Sequence, residues 1–284
     1  MSEHKQFGDL PPQYTDYEYS QIVIVPVPYE ETTTYIKGAA SGPDAVIHAS
    51  MNLELYDIET DFEVYKKGIS TDLPVTENSS PLAMIQQLKA RIDSHILNKK
   101  FTVVLGGEHT VAIGSARAYV DKFEDVTVLQ LDAHTDLRES YLSSKYNHAC
   151  TMARINEFAP LVQIGIRAMD VTEKESVKSD KIFFARDIYN SGSWMEKLIG
   201  QLTENVYVTI DLDVFDPSIM SSVGTPEPGG LLWYDALTLL KTVCHEKNLL
   251  GFDVVELCPN PQNVAPDFTT AKLIYKLLSY KFAQ

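Results

Sequence analysis

Short apolar runs rich in β-branched residues recur along the chain, and each closes on polar residues. Val126-Thr127-Val128-Leu129-Gln130-Leu131 runs into Asp132-Ala133-His134-Thr135-Asp136. Val206-Tyr207-Val208-Thr209-Ile210 runs into Asp211-Leu212-Asp213, and Thr102-Val103-Val104-Leu105 into Gly106-Gly107-Glu108-His109. Runs with no polar alternation fit strands buried on both faces. Ile22 to Pro28, Leu161 to Arg167, Ile182 to Phe184 and Leu250 to Glu256 are further strands of this kind, and residues 54 to 76 read as irregular or short-stranded. Between the strands the period changes. Ser41-Gly42-Pro43 sets up one helix, since proline is tolerated at a first helical position. Ser80-Pro81 starts another, in which Leu82, Ile85, Leu88, Ile92 and Ile96 predict the face laid on the sheet. Helices are also expected over 110–120, at the segment opened by 146–152, near 172–178, and over 193–202, 233–247 and 265–280.

Strand then helix, repeated about seven times, predicts an α/β fold: a single domain whose mostly parallel sheet is flanked by helices on both faces. The domain is expected over 21–284. Residues 1–20, polar and tyrosine-bearing, read as an N-terminal arm lying over the surface or against a neighbouring subunit.

Composition narrows the partners. Lys plus Arg number 24 against 39 Asp plus Glu, a formal charge of −15. That balance argues against nucleic acid and anionic membranes, and it mildly favours a cationic substrate. Three scattered cysteines, Cys150, Cys244 and Cys258, make neither a disulfide framework nor a thiolate metal site. No apolar run reaches the length of a membrane span and the first residues lack an apolar signal region, so the expected location is cytoplasmic.

The polar strand ends carry the chemistry. In parallel α/β sheets ligands sit beyond the carboxyl ends of the strands, so His109, Asp132, His134, Asp136, Asp211 and Asp213 can meet at one edge. In an extended chain Asp132, His134 and Asp136 would all point one way. Any one of these residues alone would read as a loop residue or a helix cap. Clustering four carboxylates without a cation is costly, and two divalent metals remove that cost. The set is too oxygen-rich for structural zinc and suits Mn²⁺, with Ni²⁺, Co²⁺ or Fe²⁺ as competitors. Glu108 has two readings, an acid favoured by the following helix dipole or a partner of His109.

Gly106 to Thr110, Asp132 to Asp136 and Asp211 to Pro217 resemble, in order, the three metal signatures of the ureohydrolases, the arginase and agmatinase family. Gly42-Pro43-Asp44-Ala45, Gly224 to Gly230 and Asp253 to Leu257 extend the resemblance over nearly the whole chain. It implies an arginase-like three-layer sandwich with two Mn²⁺ per subunit: His109 and Asp136 on one ion, His134 and Asp213 on the other, Asp132 and Asp211 bridging. A metal-bridging hydroxide would attack the guanidinium carbon of a small cationic guanidino substrate. Glu256 would oppose that cation, Asp136 would pass a proton to the leaving amine, and His148 would shuttle protons to solvent. Without the resemblance, Glu256 and His148 would read as a capping acid and a helix-start histidine.

Where arginases usually carry an Asn in a loop that binds an amino acid's carboxylate, this chain has Leu137-Arg138-Glu139. That favours agmatinase, which converts agmatine and water to putrescine and urea. Arginase, guanidinobutyrase, guanidine hydrolase and formiminoglutamase are alternatives, as is a catalytically silent binding protein of this fold. A two-metal phosphoesterase lacks a legible phosphate-binding feature. Ser221-Ser222-Val223 and Cys258 depart from the family pattern beside the pocket. The resemblance also implies a homo-oligomer, trimer or hexamer.

Overall fold

The computed structural model describes residues 5–190 and 192–283. Eight strands form one sheet: β1 (Ile22–Val27), β2 (Ile69–Thr71), β3 (Phe101–Gly106), β4 (Val126–Leu131), β5 (Leu161–Ile166), β6 (Ile182–Phe184), β7 (Asn205–Asp211) and β8 (Asn248–Val255). Their spatial order is β2-β1-β3-β8-β7-β4-β5-β6 and every pairing is parallel. The four strands that carry the expected site residues, β3, β8, β7 and β4, are therefore the four central ones. The connection from β3 to β4 skips two positions, which β7 and β8 fill later in the chain.

Side chains of alternate parity enter two separate cores. Ile22, Ile24, Val103, Leu129, Val208 and Phe252 pack towards α1 (Gly42–Ser50), α7 (Trp233–Glu246) and α8 (Ala265–Phe282). Val23, Val25, Val104, Val128 and Tyr207 pack towards α2 (Pro81–Leu97), α3 (Ala112–Val120) and α4 (Thr151–Ile155). Two short helices, α5 (Ala185–Asn190) and α6 (Trp194–Gln201), complete the first layer. No helix among the described residues is long and apolar enough to cross a membrane.

Three local expectations are corrected. The buried face of α2 is Met84, Ile85, Leu88, Ile92 and His95, while Leu82 is 41% exposed. Leu82 lies about a third of a turn from Leu88 around the helix axis, outside the stripe that meets the sheet. The helix expected from Thr110 begins at Ala112, after a 3-10 turn over His109–Val111. Around 172–178 there is a single 3-10 turn, Val171–Glu173, closed by a capping box between Asp170 and Glu173. The residues beyond it offer one apolar side chain, Val177, and no face to bury.

The arm is anchored to the body. Phe7 and Leu10 are buried, the Phe7 N–H donates to Thr71 Oγ1 (2.9 Å), and the Thr71 N–H donates to Gln6 Oε1 (2.8 Å). These contacts cover the edge strand β2, which would otherwise present unpaired backbone groups. Residues 1–4 of the expected arm lie outside the described residues.

Tyr17 reaches a half-buried polar cluster through His95, and the other His95 nitrogen stands 2.9 Å from Asp72 Oδ2, which also accepts from Arg91 at 2.7 Å. Burial pushes Asp72 up, but His95, Arg91 and the Leu73 N–H outweigh it and hold the carboxyl at about 2. A depressed carboxyl stabilises the fold above its unfolded value, near pH 4, and that contribution is lost as pH falls towards 2. Asp72→Asn should therefore cost about 1–2 kcal/mol at pH 6, with the gap to wild type narrowing between pH 4 and pH 2. Urea denaturation across that range checks it; a gap independent of pH would contradict the assignment.

Candidate metal centre and its cleft

A row of polar side chains crosses the sheet just below its carboxyl edge. Val104, Asp253, Thr209, Gln130 and Gln163 are lateral neighbours on β3, β8, β7, β4 and β5, so the last four make a continuous polar strip in otherwise apolar strands. The strip is fully bonded. Thr209 Oγ1 donates to Asp253 Oδ1 (2.5 Å), while Tyr207 and Ser115 donate to Oδ2. Gln163 donates to Gln130 Oε1 (2.5 Å), and Gln130 donates to Asp132 Oδ2 (2.6 Å).

Two turns of the same design stand above it. β4 ends at Leu131, and Asp132 Oδ1 then accepts the His134 N–H (2.5 Å). β7 ends at Asp211, whose Oδ1 accepts the Asp213 N–H (2.9 Å). Each aspartate thus fixes the residue two places on and turns its second oxygen towards His109 Nδ1. The expectation that strand alternation aims Asp132, His134 and Asp136 together is corrected, because the chain leaves the extended conformation after Leu131 and Asp136 has φ +51°.

The side chains nevertheless converge. His109 Nδ1 stands 3.1 Å from Asp132 Oδ2, 3.1 Å from Asp136 Oδ2 and 3.4 Å from Asp211 Oδ2. His134 Nδ1 stands 2.9 Å from Asp213 Oδ2 and 3.6 Å from Asp132 Oδ1. Two groups could each hold a metal ion: His109, Asp132 and Asp211, and Asp132, His134 and Asp213. Asp132 belongs to both.

The donor set fits divalent cations. His109 Nε2 meets Thr209 Oγ1 at 2.9 Å, and the Thr209 hydroxyl hydrogen is committed to Asp253, so Nε2 is a donor. Nδ1 then faces three carboxylates, which outweigh burial and draw His109 well above the usual imidazole range, and this fully buried atom makes no hydrogen bond. Four electron-rich groups aimed at one point call for a positive charge between them. The titration behaviour agrees. Burial and then the Asp132 charge push Asp136 up to about 7, and burial with Asp213 and Asp132 pushes Asp211 well above the carboxylate range. Burial opposes charge on His134, yet Asp213 and Asp132 draw it up to about 12. Asp132 goes the other way, since His109 and His134 outweigh its burial and hold it low.

A cleft of about 330 Å³ opens over these groups. Glu256, with φ +67°, lies in its wall: the Glu256 N–H donates to the Gly107 carbonyl (2.7 Å), and Oε1 accepts the His109 N–H (2.7 Å). Burial, and then the Glu108 charge, push Glu256 up to about 8. Gly107 is required here, because a side chain would strike the Tyr29 carbonyl at 2.1 Å.

His148 begins a 3-10 turn, His148–Cys150, at the same cleft. Its Nδ1 lies 3.1 Å from Thr32 Oγ1, and that hydroxyl also lies 2.8 Å from Glu108 Oε1. Glu108 accepts the N–H groups of Glu31 and Thr32 and the Thr110 hydroxyl. Glu108 is therefore neither a simple helix-start acid nor a His109 partner; it clamps residues 31–32, and through Thr32 it steadies His148. Arg138 stacks over Tyr141 and lies 3.5 Å from Asp170 and 3.6 Å from Glu173. The roles of Asp253, Thr209, Gln130, Gln163 and Thr32 were missed by sequence reasoning. A signal existed for two of them, since Gln130 and Thr209 each precede a site aspartate by two residues and so share its face.

The sequence model of the Arginase family matches residues 20–280. The chain is 40% identical to N(1)-aminopropylagmatine ureohydrolase of Synechocystis sp., over 99% of this chain and 97% of that protein. It is 31% identical to agmatinase of Pyrococcus horikoshii, over 93% of each. Its structure superposes on agmatine ureohydrolase of Thermoplasma volcanium with a TM-score of 0.88 at 28% identity, covering 99% of this chain and 95% of that one.

If Thr209 fixes the His109 ring, Thr209→Val should weaken metal binding about 10- to 100-fold, and Thr209→Ser should restore it. Equilibrium dialysis against buffered Mn²⁺ measures this. Equal affinities for wild type and Thr209→Val would dismiss the brace.

Proposed function

The chain belongs to the arginase family, as an agmatinase-like ureohydrolase, and from that premise we propose that it is a binuclear manganese enzyme converting agmatine and water to putrescine and urea. The observation that carries this reading is the unbonded Nδ1 of His109 among three carboxylates, in the same cleft as Glu256.

His109, Asp132, Asp136 and Asp211 would hold one ion, and Asp132, His134 and Asp213, with Asp211 beside them, would hold the other. Two divalent cations bound there would supply positive charge among the carboxylates and would make water acidic enough to act as a nucleophile near neutral pH. Glu256 opposes the guanidinium: its Oε1 is fixed by the His109 N–H, which leaves the other oxygen for the substrate. Asp136 takes the proton released by the attacking water and gives it to the departing amine. His148 exchanges protons with solvent. The Thr32 hydroxyl donates to Glu108 and so accepts from His148 Nδ1–H, which leaves Nε2 as the basic nitrogen. Burial, and then the nearby His109 and His134, hold His148 down at about 4, so it rests neutral.

An amine tail suits the cleft better than a carboxylate. Arg138, the guanidinium in its wall, is already beside Asp170 and Glu173 and is a weak partner for a substrate carboxylate. A second reading extends the substrate by an aminopropyl arm, as in N(1)-aminopropylagmatine; the 40% identity to the Synechocystis enzyme favours it.

Urea release by the Mn²⁺-loaded protein, with agmatine, N(1)-aminopropylagmatine, arginine and 4-guanidinobutyrate side by side, tests the proposal. Turnover should be confined to one or both of the first two, and Glu256→Gln should lower kcat about 10²- to 10³-fold. No urea from any of the four, with metal confirmed bound, would sink it.

A further inference from the structure

Arg167 directly follows β5 and places its guanidinium behind the candidate metal centre. Nη2 donates to the carbonyls of Asp213 (2.5 Å), Glu227 (2.8 Å) and Phe215 (3.3 Å). Nη1 donates to those of Gly165 (3.0 Å) and Val214 (3.3 Å), and Nε to that of Glu227 (3.2 Å). The Arg167 N–H completes the set by donating to the Ala133 carbonyl (2.8 Å). Among the described residues no carboxylate lies within salt-bridge distance of this cation, so its partners are backbone carbonyls. One, that of Gly165, is in β5 itself; the others that meet the side chain come from the turn that carries Asp213 and from the loop that brings Glu227 into the cleft wall.

A planar fork can satisfy five such carbonyls at once, whereas an ammonium, a point charge with three donors, cannot. Freed of it, the carbonyls of 213–215 would have to turn towards other donors, and the Asp213 side chain would turn with them. That side chain sits 2.9 Å from His134 Nδ1, and its Oδ1 accepts the Ala133 N–H. Asp132 is common to both groups and Asp211 accepts the Asp213 N–H, but His109 itself rests on different supports, the Asp253–Thr209 pair and the Glu256 carboxylate.

We propose that Arg167 is a positioning residue for one of the two metal positions, that of Asp132, His134 and Asp213, and leaves the His109 position largely untouched. The inference rests on the reading above that the chain holds two ions. Its consequence is a separable loss: Arg167→Lys keeps the charge, removes the fork, and weakens one ion only.

The experiment is metal content by mass spectrometry after dialysis against buffered Mn²⁺, with Mn²⁺ spin resonance on the same samples. Wild type should hold two ions and give the spin-coupled signal of a pair. Arg167→Lys should keep one ion at wild-type affinity, bind the second about 10- to 100-fold more weakly, and give the signal of isolated Mn²⁺. Adding His134→Ala to Arg167→Lys should then remove nothing further at limiting Mn²⁺, whereas adding His109→Ala should remove the remaining ion. Where Arg167→Lys does not fold, Arg167→Gln, with an amide donor and no charge, takes its place. Two ions at wild-type affinity in the variant, or both ions lost together from a folded variant, would overturn the inference. A wild type that binds no ion would instead overturn the metal reading beneath it.

Discussion

Asp132, Asp136, Asp211, Asp213 and Glu256 are held in one buried region with two imidazoles, and their mutual repulsion is the constraint on which the rest of the molecule depends. Such a cluster is tolerable only where every oxygen has a partner or faces a cation. Backbone N–H groups supply many of those partners. Asp132 takes that of His134, Asp211 that of Asp213, Asp213 that of Ala133, and Glu256 that of His109. The site's geometry is therefore a property of how four adjacent strands end, because those endings decide which amides are available.

The strip beneath answers the same demand from the sheet side. Asp253 and Gln163 are buried polar residues in apolar strands, and each would destabilise the fold if unpaired. Joined as Asp253–Thr209–His109 and Gln163–Gln130–Asp132, they become supports of two site residues, with cross-strand register as the alignment tool. On the far side Arg167 does a similar task with backbone carbonyls. The cluster is held from three directions, by amides above, side chains below and a guanidinium behind.

Much of this was legible in the sequence. Apolar strands ending in acids and histidines announce a parallel sheet with a polar carboxyl edge, and the three strand ends at His109, Asp132 and Asp211 do meet. What escaped is what periodicity does not encode. Asp136 reaches the site through a left-handed residue, which strand parity cannot anticipate. His95 joins the buried α2 face because Asp72 and Tyr17 engage it there, a fact set by distant partners. Glu108 acts on a loop about 77 residues earlier in the chain, a pairing that only the fold creates.

The strand order also sets when the centre can come into being. β3 and β4 flank a gap that stays open until β7 and β8, made from residues 205–211 and 248–255, enter it. Three interstrand spacings, about 14 Å, separate β3 from β4. The edges of β3 and β4 that face each other, next to His109 and Asp132, are paired only by strands from much later in the chain. In the finished sheet these two strands pair both inner edges and bring the residues of the candidate centre together, so that centre depends on the strands made late in the chain.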